Sequence, residues 1–340
     1  VRVVIAPDCF GGTLTAAAAA DAIAAGWSRG APAARLTTCP LADGGPGFVD
    51  VLHAALGGNL RLTSVTGPLG DPVDARWLVH DDVAYLESAE AIGLHLVPPD
   101  ERTMACETAT TQGVGELIMA ARDAGVATIV VGLGGSATTD GGRGALHVLE
   151  GPLPRLVMAA DVANPLLGPH GAAATFGPQK GADPAAVDRL AGRLTAWADE
   201  VAARCGHDPR DEPGAGAAGG LGFALLALGA GTVGGAEVVR VATGLDDAVA
   251  RADLVVTGEG SFDWQSLRGK LVTAVAAAAA DRGLPCVVLA GQVSVGRRQA
   301  ASIGIAEAHA VAEHAGSVET ALADPAGTLA DLAEHVARQW

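Results

Sequence analysis

Two lysines, four glycine-dense stretches and a recurring set of carboxylates are the residues of this chain whose types and spacing can do chemistry. The stretch VVGLGGSATTDGG, residues 130–142, runs from an apolar lead-in into a loop holding Gly134, Gly135, Ser136, Thr138 and Asp140. Glycine permits positive φ and close backbone approach, so successive amides in such a turn can form a nest for a phosphate. A helix that starts behind the loop adds favourable partial charge. LADGGPG (41–47, with Asp43, Gly44 and Gly45), PGAGAAGGLG (213–222, with Gly216 and Gly219) and TGEGSFD (257–263) are glycine-dense as well. Of 22 basic residues only Lys180 and Lys270 are lysine, and each has a glycine neighbour, in GPQKGA and SLRGKL. In a chain that otherwise uses arginine, ammonium groups kept beside permissive backbone suit point-charge contacts to phosphate.

The carboxylates are Asp8, Asp43, Asp140, Asp161, Glu259 and Asp263. Asp8, Asp140 and Glu259 fall in loops just after expected strands, and in an open parallel sheet that end is the ligand crevice. Such groups suit Mg²⁺, which takes one or two protein oxygens plus substrate phosphates, or they accept a hydroxyl proton. Other chemistries fail their sequence tests. PGAGAAGGLG fits GxGxxG at Gly214, Gly216 and Gly219 but follows a proline-containing loop instead of a strand. GLGGSA does follow a strand, yet no strand ending in an acidic residue comes about 20 positions later. An NAD-dependent oxidoreductase therefore rests on GLGGSA alone. Nothing reads GxxxxGK[ST] or HExxH.

The totals narrow the partners. A formal charge of −16 and 3% aromatics argue against nucleic acid, by repulsion and by lack of stacking surfaces. Five scattered cysteines without a CxxC pair fit reduced thiols in a cytoplasm. The opening VRVVIAPDCF lacks the features of a signal peptide, and the alanine-rich runs fall short of a membrane span. The expectation is a cytoplasmic protein with no membrane partner; a homodimer stays open.

The elements that must position these residues are strands alternating with helices. VRVVIAP, ATIVVGLGG, ADLVVTGEG and PCVVLAGQ read as buried strands ending in glycine or loop residues. TAAAAADAIAAGWSRG reads as a helix with Thr15 as N-cap and a glycine stop. That alternation indicates a parallel, doubly wound α/β sheet. LRLTSVTGPLGDPVDARWLVHDDVAYLESA breaks the rhythm: strand-like runs joined by short turns, an antiparallel meander opening a second domain near residue 63.

Read together, these motifs resemble the bacterial glycerate kinase family, of the class that includes the glycerate 2-kinases. The likeness runs nearly end to end, through APDCFGGTLTA (6–16), PLADGGPG (40–47), GPLGDPVDA (67–75), TTQGVGELI (110–118), GLGGSATTDGG (132–142), ADVANPLLGPHGAAATFGPQKGA (160–182), PGAGAAGGLG and ADLVVTGEGSFDWQSLRGK (252–270). It implies an α/β fold of two domains. One is a flavodoxin-like parallel-sheet domain, discontinuous over 1–62 and 245–340. The other is an inserted second α/β domain over 63–244 containing antiparallel strands, with the active site in the cleft. The implied reaction is phosphorylation of D-glycerate by ATP with Mg²⁺, giving 2-phosphoglycerate, with the 3-phosphate as alternative.

On that reading Gly134, Gly135, Ser136, Thr138, Gly216, Gly219 and Lys180 bind ATP phosphates, and Lys270 offsets transition-state charge. Asp140 or Glu259 holds the metal, and Gly44, Gly45 and Arg268 bind substrate. The base is left open among Asp8, Asp43 and Asp263. Three departures from the family pattern stand out: Cys9 and Gly11 where DSFKGSLTA is usual, Pro46 where ADGGEGT is usual, and Thr139 where SATND has asparagine. They keep a catalytically impaired, ligand-binding member as the second alternative.

Overall fold

The apolar runs pair into two separate sheets in the computed structural model of the chain, which describes residues 1–264, 266–268 and 271–340. Among the described residues the strands are β1 (Arg2–Ile5), β2 (Arg35–Thr38), β3 (Asn59–Thr66), β4 (Pro72–His80), β5 (Val83–Glu87), β6 (Thr128–Gly132), β7 (Arg155–Ala159), β8 (Gly231–Val233), β9 (Leu254–Phe262), β10 (Cys286–Val293) and β11 (Glu307–Ala310). They divide between two compact units, Val1–Ala42 with Val239–Trp340, and Asp43–Val238. No described helix is long and apolar enough to cross a membrane.

The first unit carries a five-stranded sheet in the order β2-β1-β9-β10-β11, with every neighbouring pair parallel. This is the flavodoxin-like order, whose switch point lies between β1 and β9. Val3, Ile5, Val255, Val256, Val287 and Val288 are all buried, because helices cover both faces. Thr15 caps helix Ala16–Gly30 by accepting from the Ala18 amide at 3.1 Å. The expected glycine stop is not one, since Gly30 is still helical. Gly26 and Gly30 instead allow helix Pro325–Ala337 to lie close: a Cβ at Gly26 would collide with the Ala330 carbonyl, and one at Gly30 would sit 2.5 Å from that of Glu334.

The second unit carries six strands in the order β3-β4-β5-β6-β7-β8. β3, β4 and β5 form the antiparallel meander, while β5 to β8 are parallel. Trp77, Leu86, Ile118, Ile129, Met158 and Phe223 are buried in its core. This unit begins at Asp43, not near 63, and closes at Val238, not 244. The cause is helix Phe48–Leu56, which packs on β4 and β5 and buries Phe48, Val49, Val51 and Leu52 there. The segment before the meander thus belongs to the meander's own core.

One carboxylate sits differently from expectation. Glu259 is not in a loop after a strand but inside β9, which stays paired with β10 from Cys286↔Val255 to Val293↔Phe262. Glycine at 258 permits this, because a Cβ there would collide with the Leu289 carbonyl.

Candidate active site

In the first unit, the ends of β1, β9 and β10 open into a cavity of about 440 Å³ lined by Asp8, Cys9, Gly11, Glu259, Asp263 and Gln292, among others. That is the switch-point position at which an open parallel sheet holds ligands. The Asp8 amide donates to the Gly258 carbonyl at 2.8 Å, tying the loop after β1 to β9. One Asp8 oxygen accepts the Cys9 amide at 2.6 Å. Asp263 begins a turn closed by Ser266, whose Oγ accepts the Asp263 amide at 3.2 Å. Gly11, at φ +45°, has nothing within 4 Å of a built Cβ, so a side chain there would meet open space. The sequence assignments at Lys270 and at the Arg268 side chain lie outside the described residues.

In the second unit, three glycine segments interlock. A Cβ at Gly134 would collide with Gly45, one at Gly132 would lie 2.6 Å from the Gly44 carbonyl, and one at Gly235 would collide with the Asp43 carbonyl. Gly44 and Gly45 therefore serve backbone-to-backbone packing, and Gly45 also donates to Asp43 Oδ1 at 3.2 Å. Gly216 and Gly219 do the same behind the loop. The Gly216 amide donates to the Asn164 carbonyl at 2.9 Å, and a Cβ at Gly219 would collide with the Thr138 carbonyl. Pro46 packs in this assembly too, its Cδ 2.8 Å from where a Gly135 Cβ would be. Gly134 is half-buried and Gly135 exposed, and their amides, by contrast, meet no acceptor among the described residues.

Lys180 underpins this loop. It is 3% exposed, and its ammonium donates to the Thr138 carbonyl at 2.6 Å and to Ser136 Oγ at 3.1 Å. Burial pushes its pKa down to about 7, against the pull of Asp140. The structure gives Asp140 an architectural task. Its two oxygens accept from the Thr111 amide and hydroxyl and from the amides of Gly142 and Gly144, all at 2.8–3.0 Å. Asp43 is exposed at the loop's edge. Nearby, burial and the Asp43 carboxylate both push the Asp161 carboxyl up.

Sequence reasoning missed Glu87. This residue ends β5, is 3% exposed, and accepts the amides of Gly47 and Val49 at 3.1 and 3.3 Å, so it fastens the ADGGPG loop to helix Phe48–Leu56. Burial, with Glu90 and Asp50 adding and those two amides opposing, pushes its pKa up to about 8. The folded chain then holds a proton that the unfolded chain releases near pH 4.5. Stability should fall as pH rises from about 4.5 to 8. Glu87→Gln keeps an acceptor for both amides without the charge. Urea midpoints of variant minus wild type should rise across that window by the equivalent of a few kcal/mol, on the order set by such shifts. A difference that stays flat between pH 5 and 8 would show that Glu87 does not hold the proton.

Among the described residues no three His, Cys, Asp or Glu side chains are grouped closely enough to hold a metal ion by themselves. Asp8, Glu259 and Asp263 nevertheless line one cavity. That fits a hard cation that takes few protein ligands and completes its shell from substrate and water.

The first unit thus carries acidic groups at the switch point of a doubly wound sheet, and the second unit a glycine loop braced by a buried ammonium; each is a feature suited to phosphate chemistry. A family description, the glycerate kinase family, matches residues 3–153 and 151–340. An uncharacterized protein of Mycobacterium tuberculosis is 50% identical over 99% of this chain and 91% of its own length. The glycerate 2-kinase of Escherichia coli is 39% identical over 86% of each chain. The crystal structure of a glycerate kinase 2, described as putative, from Salmonella typhimurium superposes with a TM-score of 0.81 at 36% identity, over 100% of this chain and 98% of that one. The chain belongs to the glycerate kinase family and is an enzyme, a phosphotransferase with an alcohol group as acceptor.

Proposed function

We propose that this enzyme transfers the γ-phosphoryl group of ATP, with Mg²⁺, to the 2-hydroxyl of D-glycerate. The observation that carries the reading is Lys180. A buried Lys180 side chain bonded to Ser136 and Thr138, in a loop whose Gly134 and Gly135 amides meet no acceptor among the described residues, supports a binding site for phosphate oxygens. Phosphoryl transfer needs mainly positioning and charge stabilisation, which such a site supplies. Mg²⁺, held through Glu259 and Asp8, would neutralise charge on the β- and γ-oxygens. Asp43, exposed at the edge of the loop, accepts the hydroxyl proton. Transfer to position 2 is supported by the name of the Escherichia coli relative, a glycerate 2-kinase.

The test is ADP release on adding D-glycerate or L-glycerate, with the product read by phosphorus NMR. ADP release with D-glycerate and a secondary phosphate ester is expected. A primary ester would move the reaction to position 3. Glycerate binding without ADP release would make the chain a binding member of its family.

A further inference from the structure

The second unit has another cavity, of about 280 Å³, which takes in Thr139 and Asp140 but none of Gly134–Thr138 and not Lys180. Its walls include Glu107, Arg143, His147, Arg193 and Trp197. The proposed reaction uses none of these five.

Charge in this cavity is arranged for an anion. Arg143 has no carboxylate within ion-pair reach among the described residues; its guanidinium carbon lies 5.2 Å above the Trp197 ring. Stacking on an indole face holds the guanidinium plane while leaving its N–H edges open to a planar or tetrahedral oxyanion. The two carboxylates present are already satisfied. Glu107 is shared by two guanidiniums, Arg189 at 2.6 Å and Arg193, so the pair of arginines outweighs it. Asp140 is surrounded by four N–H and O–H donors. His147 sets its ring edge-on to Trp197, with 6.0 Å between centroids, on the same wall.

A second, independent feature is Thr139. It lines the cavity, is 4% exposed, and its hydroxyl has no hydrogen-bond partner among the described residues. A buried hydroxyl without a partner is a standing penalty that a bound acceptor removes. It stands next to Asp140 in the chain.

We propose that this cavity binds a small oxyanion, a carboxylated or phosphorylated metabolite, held by Arg143 and Thr139. Its volume sits at the small end of ligand cavities, which limits the ligand to a few carbons.

The full chain would be titrated by calorimetry with inorganic phosphate and, separately, with malonate at constant ionic strength, while tryptophan emission is followed. Both titrations are run with D-glycerate and ADP saturating, so that the reaction site is filled. Saturable binding of at least one anion is expected, with a change in emission. Binding of phosphate alone or malonate alone assigns the class of ligand. Arg143→Gln should weaken it by roughly tenfold or more, the loss of a charge-assisted pair. Thr139→Val should weaken it at least about threefold without lowering Tm, because the hydroxyl stabilises nothing in the free protein. Trp197→Phe should abolish the emission change while calorimetric binding persists. No saturation by either anion up to about 20 mM, a range that still detects weak ligands, would overturn the proposal. So would unchanged affinity in Arg143→Gln, or binding that appears only in a control titration without D-glycerate and ADP.

Discussion

Replacing Lys180 by methionine should lower kcat/KM by about 10²–10³-fold, the loss typical for one preorganised charge donor. The change should leave the protein folded. Two effects on stability oppose each other here. The Thr138 carbonyl and Ser136 hydroxyl lose their donor, which costs about 1–3 kcal/mol for a buried group. The variant in turn no longer has to bury an ammonium. Measuring Tm and kcat/KM together separates a charge that acts on the reaction from one that merely fills space.

The pH dependence supplies a check independent of turnover. Lys180 has its pKa lowered to about 7 in the fold, against 10.5 when exposed. Between those values the unfolded chain binds a proton the folded chain does not, so this group makes stability rise with pH through that window. Below about pH 7 the folded state carries the full penalty of the buried charge. Lys180→Met should remove that slope. A variant that keeps wild-type turnover would remove the ammonium from the proposed mechanism, and one that keeps the slope would move the titration to another group.

The strands and their glycine ends were readable because their signal is local. A buried parallel strand is a short β-branched run, and β1, β6, β9 and β10 each show one. The meander was readable from its turns, as at His80–Val83, where Asp81 takes φ +50°. The order β2-β1-β9-β10-β11 is not written in any window of sequence, since β1 and β9 pair across some 250 residues. The family likeness supplied it.

The site was legible as a set of ingredients and not as an arrangement. Lys180 stood out by rarity, but its partners lie 42 and 44 residues away, and only the fold brings them together. Glu87 gave no signal, being one acid at the end of a strand with partners 38 and 40 residues distant. The glycines were the deeper ambiguity. An open amide nest and two backbones packed in contact both require a missing Cβ, so composition does not separate Gly134 and Gly135, with their free amides, from Gly219, pressed on the Thr138 carbonyl. Asp140 is the same problem in a side chain: an acid in a glycine loop reads as a ligand, and here it organises the turn.

Glu259→Gln should reduce turnover by about 10²–10⁴-fold, the range in which a metal's charge stabilisation works, and raise the Mg²⁺ concentration needed for half-maximal rate. Glu259 is 7% exposed on β9, and β9 lies beside β1 at the switch point, with Asp8 lining the same cavity. Glutamine preserves the size and the strand pairing but removes the negative charge that a hard cation requires. Fold stability should therefore change little while Mn²⁺ affinity, read by electron paramagnetic resonance on the protein with ADP, falls in step with the rate. Asp8→Asn should produce a smaller shift in the same direction, because one of its oxygens is already engaged by the Cys9 amide. The two substitutions share a cavity, so their effects should fall short of additive when combined. Unchanged Mn²⁺ affinity in Glu259→Gln would place the cation on other oxygens, and full additivity would mean that the two carboxylates serve separate ends.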